Sequence, residues 1–234
     1  MNFDLLSMAE LTASAVVVAL GFGELFGANL RERVFVSAAM LAWLAAVLWI
    51  GERLLLNVQG GFGAPGLGFA VAIPLALLLL VFLGSEWGRA RADAASLSGL
   101  AALHAVRVFG GVTFVLLYAA GRLPAPFAPI AGWGDAFIGA TALAAAWIST
   151  RRPDLAVLWN GLGMLDLVTA IVLGAMSAPG PLRLFMQAPG SAIMTTLPWI
   201  VIPCYLVPAL AFAHLAALWR LLRAPQRRPA GFAV

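Results

Sequence analysis

The sequence predicts an all-α, polytopic integral membrane protein of seven transmembrane helices, N-terminus outside and C-terminus cytoplasmic. Three observations predict it. The 234 residues are 63% hydrophobic and only 10% charged, with a mean hydropathy of +0.99, where a soluble domain carries about a quarter charged residues. The apolar residues fall into seven runs near the ~20-residue length that spans a bilayer. The arginines between those runs alternate in density from one side to the other.

The runs lie near 9–28, 34–56, 67–84, 97–120, 130–149, 155–177 and 192–219. Glu10 and Glu24 flank the first, whose limits are the least sharply marked. Each break carries charge or turn residues: Arg31-Glu32-Arg33, the glycine-rich stretch Gly60 to Gly66, Glu86 to Asp93, Arg122 to Pro129, Arg151-Arg152-Pro153-Asp154, and Ala178 to Gly190. The runs are continuous rather than alternating, so helices are expected and not a β-barrel. The last run contains Pro198, Pro203 and Pro208, which remove backbone donors and break a helix locally. Gly21-Phe22-Gly23-Glu24 resembles Gly132-Trp133-Gly134-Asp135, but the two lie at different depths and define no repeat.

With the N-terminus on the first side, that side holds Arg53, Arg122 and Arg183. The other holds Arg31, Arg33, Arg89, Arg91, Arg151, Arg152, Arg220, Arg223, Arg227 and Arg228. Basic residues in short loops stay in the cytoplasm. The expectation is a single membrane domain over residues 1–234, ending in a short basic cytoplasmic tail at 220–234. Trp87, Trp147, Trp159, Trp199 and Trp219 are expected near the interfaces, and Trp43 and Trp49 deeper, as packing residues.

Composition excludes several functions. There is no lysine, hence no Schiff base and no P-loop. The single Cys204 allows no internal disulfide, and it lies about 15 Å along one helix from His214, too far to share a metal. The pI of about 10.5 comes from arginines at helix ends, so no nucleic-acid partner is expected. The N-terminus lacks the basic stretch of a cleavable signal. Abundant Ala, Gly and Arg without Lys point to a GC-rich bacterial genome, hence a bacterial cytoplasmic (inner) membrane with the lipid bilayer as its one assured partner.

Ionisable residues inside the bilayer cost about 3 kcal/mol each on insertion scales and need a reason. His104 and Arg107, three residues apart on one helix face, Asp166, Asn160, His214 and Asp135 are the candidates. Depths along the spans put Arg107 level with Asp166 at mid-membrane, about 15 Å in. They put His104, Asn160 and His214 in a second layer nearer the cytoplasm, and Asp135 in the outer half. The leading reading is a core that binds or moves a small solute or proton. The rival is a non-catalytic accessory or scaffold subunit in which the same residues fix helix packing. Two histidines at matched depth also meet the minimum for a haem; otherwise no cofactor, metal or catalytic residue is expected. Finally, Gly132-Trp133-Gly134-Asp135 and Pro208-Ala209-Leu210 resemble the Gly-x-Gly-Asp and Pro-Ala-Leu fragments of presenilin-related intramembrane aspartyl proteases. That resemblance implies a dyad of Asp135 with Asp166. It covers seven residues, and the order of the two aspartates is the reverse of the family's.

Overall fold

The computed structural model describes residues 3–57 and 63–223; Arg227 and Arg228, and most of the expected basic tail, lie outside the described residues. All regular structure among them is helical: α1 (Phe3–Phe26), α2 (Leu30–Glu52), α3 (Gly63–Gly84), α4 (Glu86–Ala94), α5 (Leu97–Ala102), α6 (Arg107–Ala119), α7 (Ala128–Ile148), α8 (Pro153–Ser177) and α9 (Val207–Arg223). Six helices among the described residues are long and apolar enough to cross a membrane, counting Leu97–Ala119 as one. The seventh expected span, α7, has 21 residues but falls short in apolarity. It carries Asp135 among glycines, tryptophans and a threonine.

Local chemistry sets the boundaries. Asn29 caps α2, its side chain accepting from the Glu32 N–H at 3.1 Å, while Glu32 accepts from the Ala28 N–H at 3.0 Å. This reciprocal capping starts the helix at Leu30 rather than near 34. Helix α1 begins at Phe3, not near 9, which carries Glu10 two turns into the helix. Ser85 caps a short helix, α4, inside the stretch expected to be a plain connection, accepting from Gly88 N–H at 2.9 Å.

The fourth span is not one straight helix. A 3-10 turn, Leu103–Val106, joins α5 to α6. The last span differs most. The expected run from 192 to 201 is a 3-10 turn, Ala192–Thr195, followed by further turns. A π-helical turn, Ile202–Leu206, then leads into α9. The cause is the proline series: Pro198 and Pro203 lack the N–H donors that a regular α-helix would need there, and a one-turn widening absorbs the mismatch.

Helix α9 is the central element. Ala209, Phe212, Ala213, His214 and Ala216 have no exposed surface. Around it Phe22, Phe26 and Phe82 pack on Phe212 with centroids 5.2–5.9 Å apart. Helices α2, α3 and α8 present large apolar side chains outward, including Phe35, Phe69, Leu80 and Leu158. That is the pattern of helices that face lipid. Trp43 packs on Tyr205 at 4.6 Å, whereas Trp49 is exposed rather than packed.

The two ends of the bundle are tied by different contacts. At one end Arg91 grips Glu32 with Nε at 2.9 Å and Nη2 at 3.0 Å, and Trp219 donates to Asp93 at 3.2 Å. At the other, Arg122 pairs with Asp4 at 2.5 Å and lies over the Trp199 ring at 4.5 Å.

Candidate functional site

Arg107 opens α6 directly after the 3-10 turn. In a 3-10 turn residues i and i+3 eclipse, so His104 and Arg107 project side by side toward α9. Arg107 is 3% exposed and satisfies its guanidinium in three directions. Its Nε donates to Asp135 Oδ1 at 2.6 Å, its Nη2 donates to Asp166 Oδ2, and its Nη1 faces Gly163 O at 3.4 Å and His214 Nε2 at 3.2 Å.

The hydrogen-bond inventory fixes the His214 tautomer. Asn160 donates its Nδ2 to Ala156 O at 2.8 Å, which leaves Oδ1 facing His214 Nδ1 at 2.8 Å. A carbonyl oxygen only accepts, so Nδ1 carries the proton and Nε2 offers its lone pair to Arg107. His104 stacks on His214 with centroids 3.6 Å apart and meets Trp159 edge-on at 5.5 Å. Neither ring nitrogen of His104 has a hydrogen-bond partner among the described residues.

The structure therefore brings all six candidate residues into one network, not two layers with Asp135 apart. Axial depth alone misses this, because Asp135 reaches Arg107 sideways across the α6–α7 contact. Glycines make that contact close. A Cβ on Gly111 would lie 2.6 Å from the backbone of Ala136 and of Gly132, and one on Gly132 would lie 3.0 Å from Gly111 O. Gly134 makes room for Asp166, whose Oδ1 would overlap a Cβ there, and Gly163 makes room for the His214 ring. The Gly132-Trp133-Gly134-Asp135 pattern thus has a packing role at each of its small positions.

Two residues near the network escaped the sequence reading. Trp159, expected at an interface, is buried against both histidines and donates to Thr141 Oγ1 at 3.0 Å. Glu10, half-buried on α1, accepts from Thr113 Oγ1 at 2.6 Å. The early start of α1, two turns before the expected limit, puts Glu10 within the helix rather than at its end.

The arrangement argues against two chemistries. Histidines in van der Waals stacking leave no gap for a macrocycle between them, so the pair does not fit bis-histidine haem ligation. An aspartyl dyad needs two carboxyls sharing one proton. Here a guanidinium stands between Asp135 and Asp166, and no hydrogen bond joins them among the described residues. No group of His, Cys, Asp and Glu among the described residues has metal-binding geometry.

Two cavities adjoin the network. One of about 20 Å³ is lined by Arg107, Asp135, Gly110, Leu167 and Leu206, room for one water molecule. The larger, about 310 Å³, lies between α3, α6, α7, α8 and the turns before α9. Its wall is apolar apart from Asp135 and Ser191. Asp135, Leu167, Ile202 and Val207 line both cavities.

Fold and site together define the class: a multi-pass α-helical membrane protein with a charged network buried among its spans. Residues 64–222, more than half of the chain, match the model of a family described as a domain of unknown function (DUF8737), and the chain belongs to that family. The matched stretch contains all six residues of the network and both cavities. No curated protein and no solved structure matches the chain.

Proposed function

We propose that this chain is a seven-span protein of the bacterial cytoplasmic membrane, N-terminus outside, that binds or moves a small solute or a proton at the Arg107 network. Three features support the topology. Helix α7 is about 32 Å long at 1.5 Å per residue, enough to cross a bilayer core. It packs between α6 and α8. With α7 counted as a span, the arginine-rich connections share the end held by Arg91–Glu32, and the arginine-poor ones share the end held by Arg122–Asp4.

The observation that carries the functional reading is charge count in a buried place. One guanidinium meets two carboxylates. His214, which turns its Nε2 lone pair to the guanidinium, and His104, stacked behind it with no carboxylate partner, add no formal charge as neutral rings. The network therefore has one negative charge to spare until a proton or a cationic group joins it, and an unbalanced charge is costly away from water. The 310 Å³ cavity gives such a group access to Asp135.

Infrared spectra of the purified protein, titrated in pH, test this. The wild type should show a protonated-carboxyl band that changes on titration, and either Asp135→Asn or Asp166→Asn should remove it. Spectra unchanged by both substitutions overturn the reading. Proton flux into liposomes containing the protein then separates movement from binding.

One observation favours the accessory-subunit reading. A groove of about 480 Å³ between α2 and α3, lined by Phe35, Met40, Trp43, Leu77 and Val81, opens outward, and its concave shape offers a partner helix closer van der Waals packing than lipid chains give. Extraction in mild detergent from native membranes tests it: a stoichiometric partner released by Met40→Trp supports that role.

A further inference from the structure

We infer that the 310 Å³ cavity is a side port from the bilayer whose ligand is a small amphiphile bearing a protonated amine, its head seated on Asp135. The inference rests on the charge reading of the network given above and adds the chemistry of the ligand.

The cavity's size is at the lower end of small-molecule sites, roughly 300–1,000 Å³. Its wall tells what fills it. Phe114, Phe127, Leu167, Met194 and their neighbours are apolar. Ser191, the second polar side chain, already donates its hydroxyl to Gly174 O at 2.7 Å. Asp135 is therefore the one charged group the cavity offers a ligand.

Asp135 is 7% exposed and engages Arg107 through Oδ1, while its Oδ2 has no hydrogen-bond partner among the described residues. A hydrocarbon body fits the wall, and a hydrogen-bond donor with positive charge fits the floor. An anionic head would meet a network that already carries two carboxylates on one guanidinium. A neutral alcohol could donate a hydrogen bond but would leave the spare charge unbalanced.

The mouth faces outward between α3 and α8. Ile171 and Leu182 at the mouth are 40% and 61% exposed, and Gly68 across from them has open space where a side chain would be. Ile171 and Gly68 lie on the flank of the bundle and Leu182 on the connection after α8, so the mouth opens at the outer edge of the lipid-facing surface and the ligand arrives from that leaflet. In the low-dielectric interior a cation against a carboxylate interacts far more strongly than at a wet surface.

The test is direct binding to the full chain in nanodiscs, with tritiated decylamine as the probe and decanol and decanoate as competitors of matched chain. Saturable decylamine binding, displaced by unlabelled decylamine at least tenfold better than by decanol or decanoate, is the expected result. Asp135→Asn should weaken it at least tenfold. Gly174→Leu, which fills the cavity without touching Arg107, should do the same, and it keeps the test decisive if the Asp135 variant does not fold. Equal competition by the three compounds, binding indifferent to both substitutions, or no saturable binding overturns the inference. If decylamine binding fails while the titratable carboxyl band persists, the cavity proposal falls and the proton-binding core stands. If selective binding occurs without that band, the network takes a cationic solute and the proton reading of the core falls.

Discussion

At the scale of the residue, charge balance around Arg107 makes an ordered prediction. Removing the cation, as in Arg107→Met, leaves Asp135 and Asp166 buried without a counter-ion. Breaking a buried pair in this way costs about 3–5 kcal/mol. Removing one carboxylate, as in Asp166→Asn, leaves Arg107 paired with Asp135 at 2.6 Å, one guanidinium to one carboxylate, and should change stability by no more than about 1 kcal/mol. Removing both strands the guanidinium and should again cost several kcal/mol, well beyond the sum of the two single changes. Melting temperatures in one detergent, measured for the wild type, Arg107→Met, Asp135→Asn, Asp166→Asn and the double carboxylate variant, check the order. Equal losses from each single carboxylate change and from Arg107→Met would show that shape, not charge, holds the site.

The residues of the network were legible because a charge inside an apolar run announces itself. His104 and Arg107 could be placed on one face from their spacing alone. Partner choice was not legible. Depth alone sets Asp135 apart, and hydropathy alone puts Trp159 at an interface. The reason is physical: a spanning helix is apolar around its whole circumference, so no periodicity says which side faces a neighbour. The side-to-side approach that joins Asp135 to Arg107 is encoded in glycines, and glycine spacing is ambiguous in a chain with 24 of them.

At the scale of the element, those glycines give a paired prediction on adjacent positions. Gly111 faces α7, where an added Cβ meets backbone atoms of Ala136 and Gly132 at 2.6 Å, and backbone cannot yield as a flexible side chain can. Gly111→Ala should push α6 from α7, lengthen the Arg107–Asp135 contact and cost about 1–3 kcal/mol, as overpacking does. Gly110 has nothing within 4 Å of its added Cβ, so Gly110→Ala should be neutral or stabilise by up to about 1 kcal/mol through helix propensity. Thermal stability of the two variants, compared side by side, separates them, and an equal effect would show that the helices do not meet through Gly111. Hydropathy located six helices able to span, among the seven expected, but placed several of their ends poorly. Asn29 and Ser85 set helix starts through capping, and Pro198 with Pro203 replaced the first turns of the last expected span by a 3-10 and a π turn.

At the scale of the whole molecule, the arrangement depends on whether α7 crosses the membrane. If it does, the α7–α8 connection is cytoplasmic and the long segment before α9 is outside, so Arg151 and Arg152 share a face with Arg31 and Arg33. If it does not, Asp135 enters the Arg107 network from a helix that returns to the same side, and the arginine alternation is lost from that point on. The chain is convenient for deciding this. Its one cysteine, Cys204, is buried at 3% exposure and should stay silent to a bulky thiol reagent. Thr150 in the α7–α8 connection and Gln187 before α9 are both exposed. In intact spheroplasts a membrane-impermeant maleimide should label Gln187→Cys at once, whereas Thr150→Cys should react only after the membrane is opened. The reverse pattern, with Thr150→Cys labelled at once and Gln187→Cys only after the membrane is opened, would place α7 outside the set of spans. Asp135 would then reach Arg107 from a re-entrant helix, and the charge count of the network, held by residues of the spans Leu97–Ala119 and Pro153–Ser177, would be unchanged.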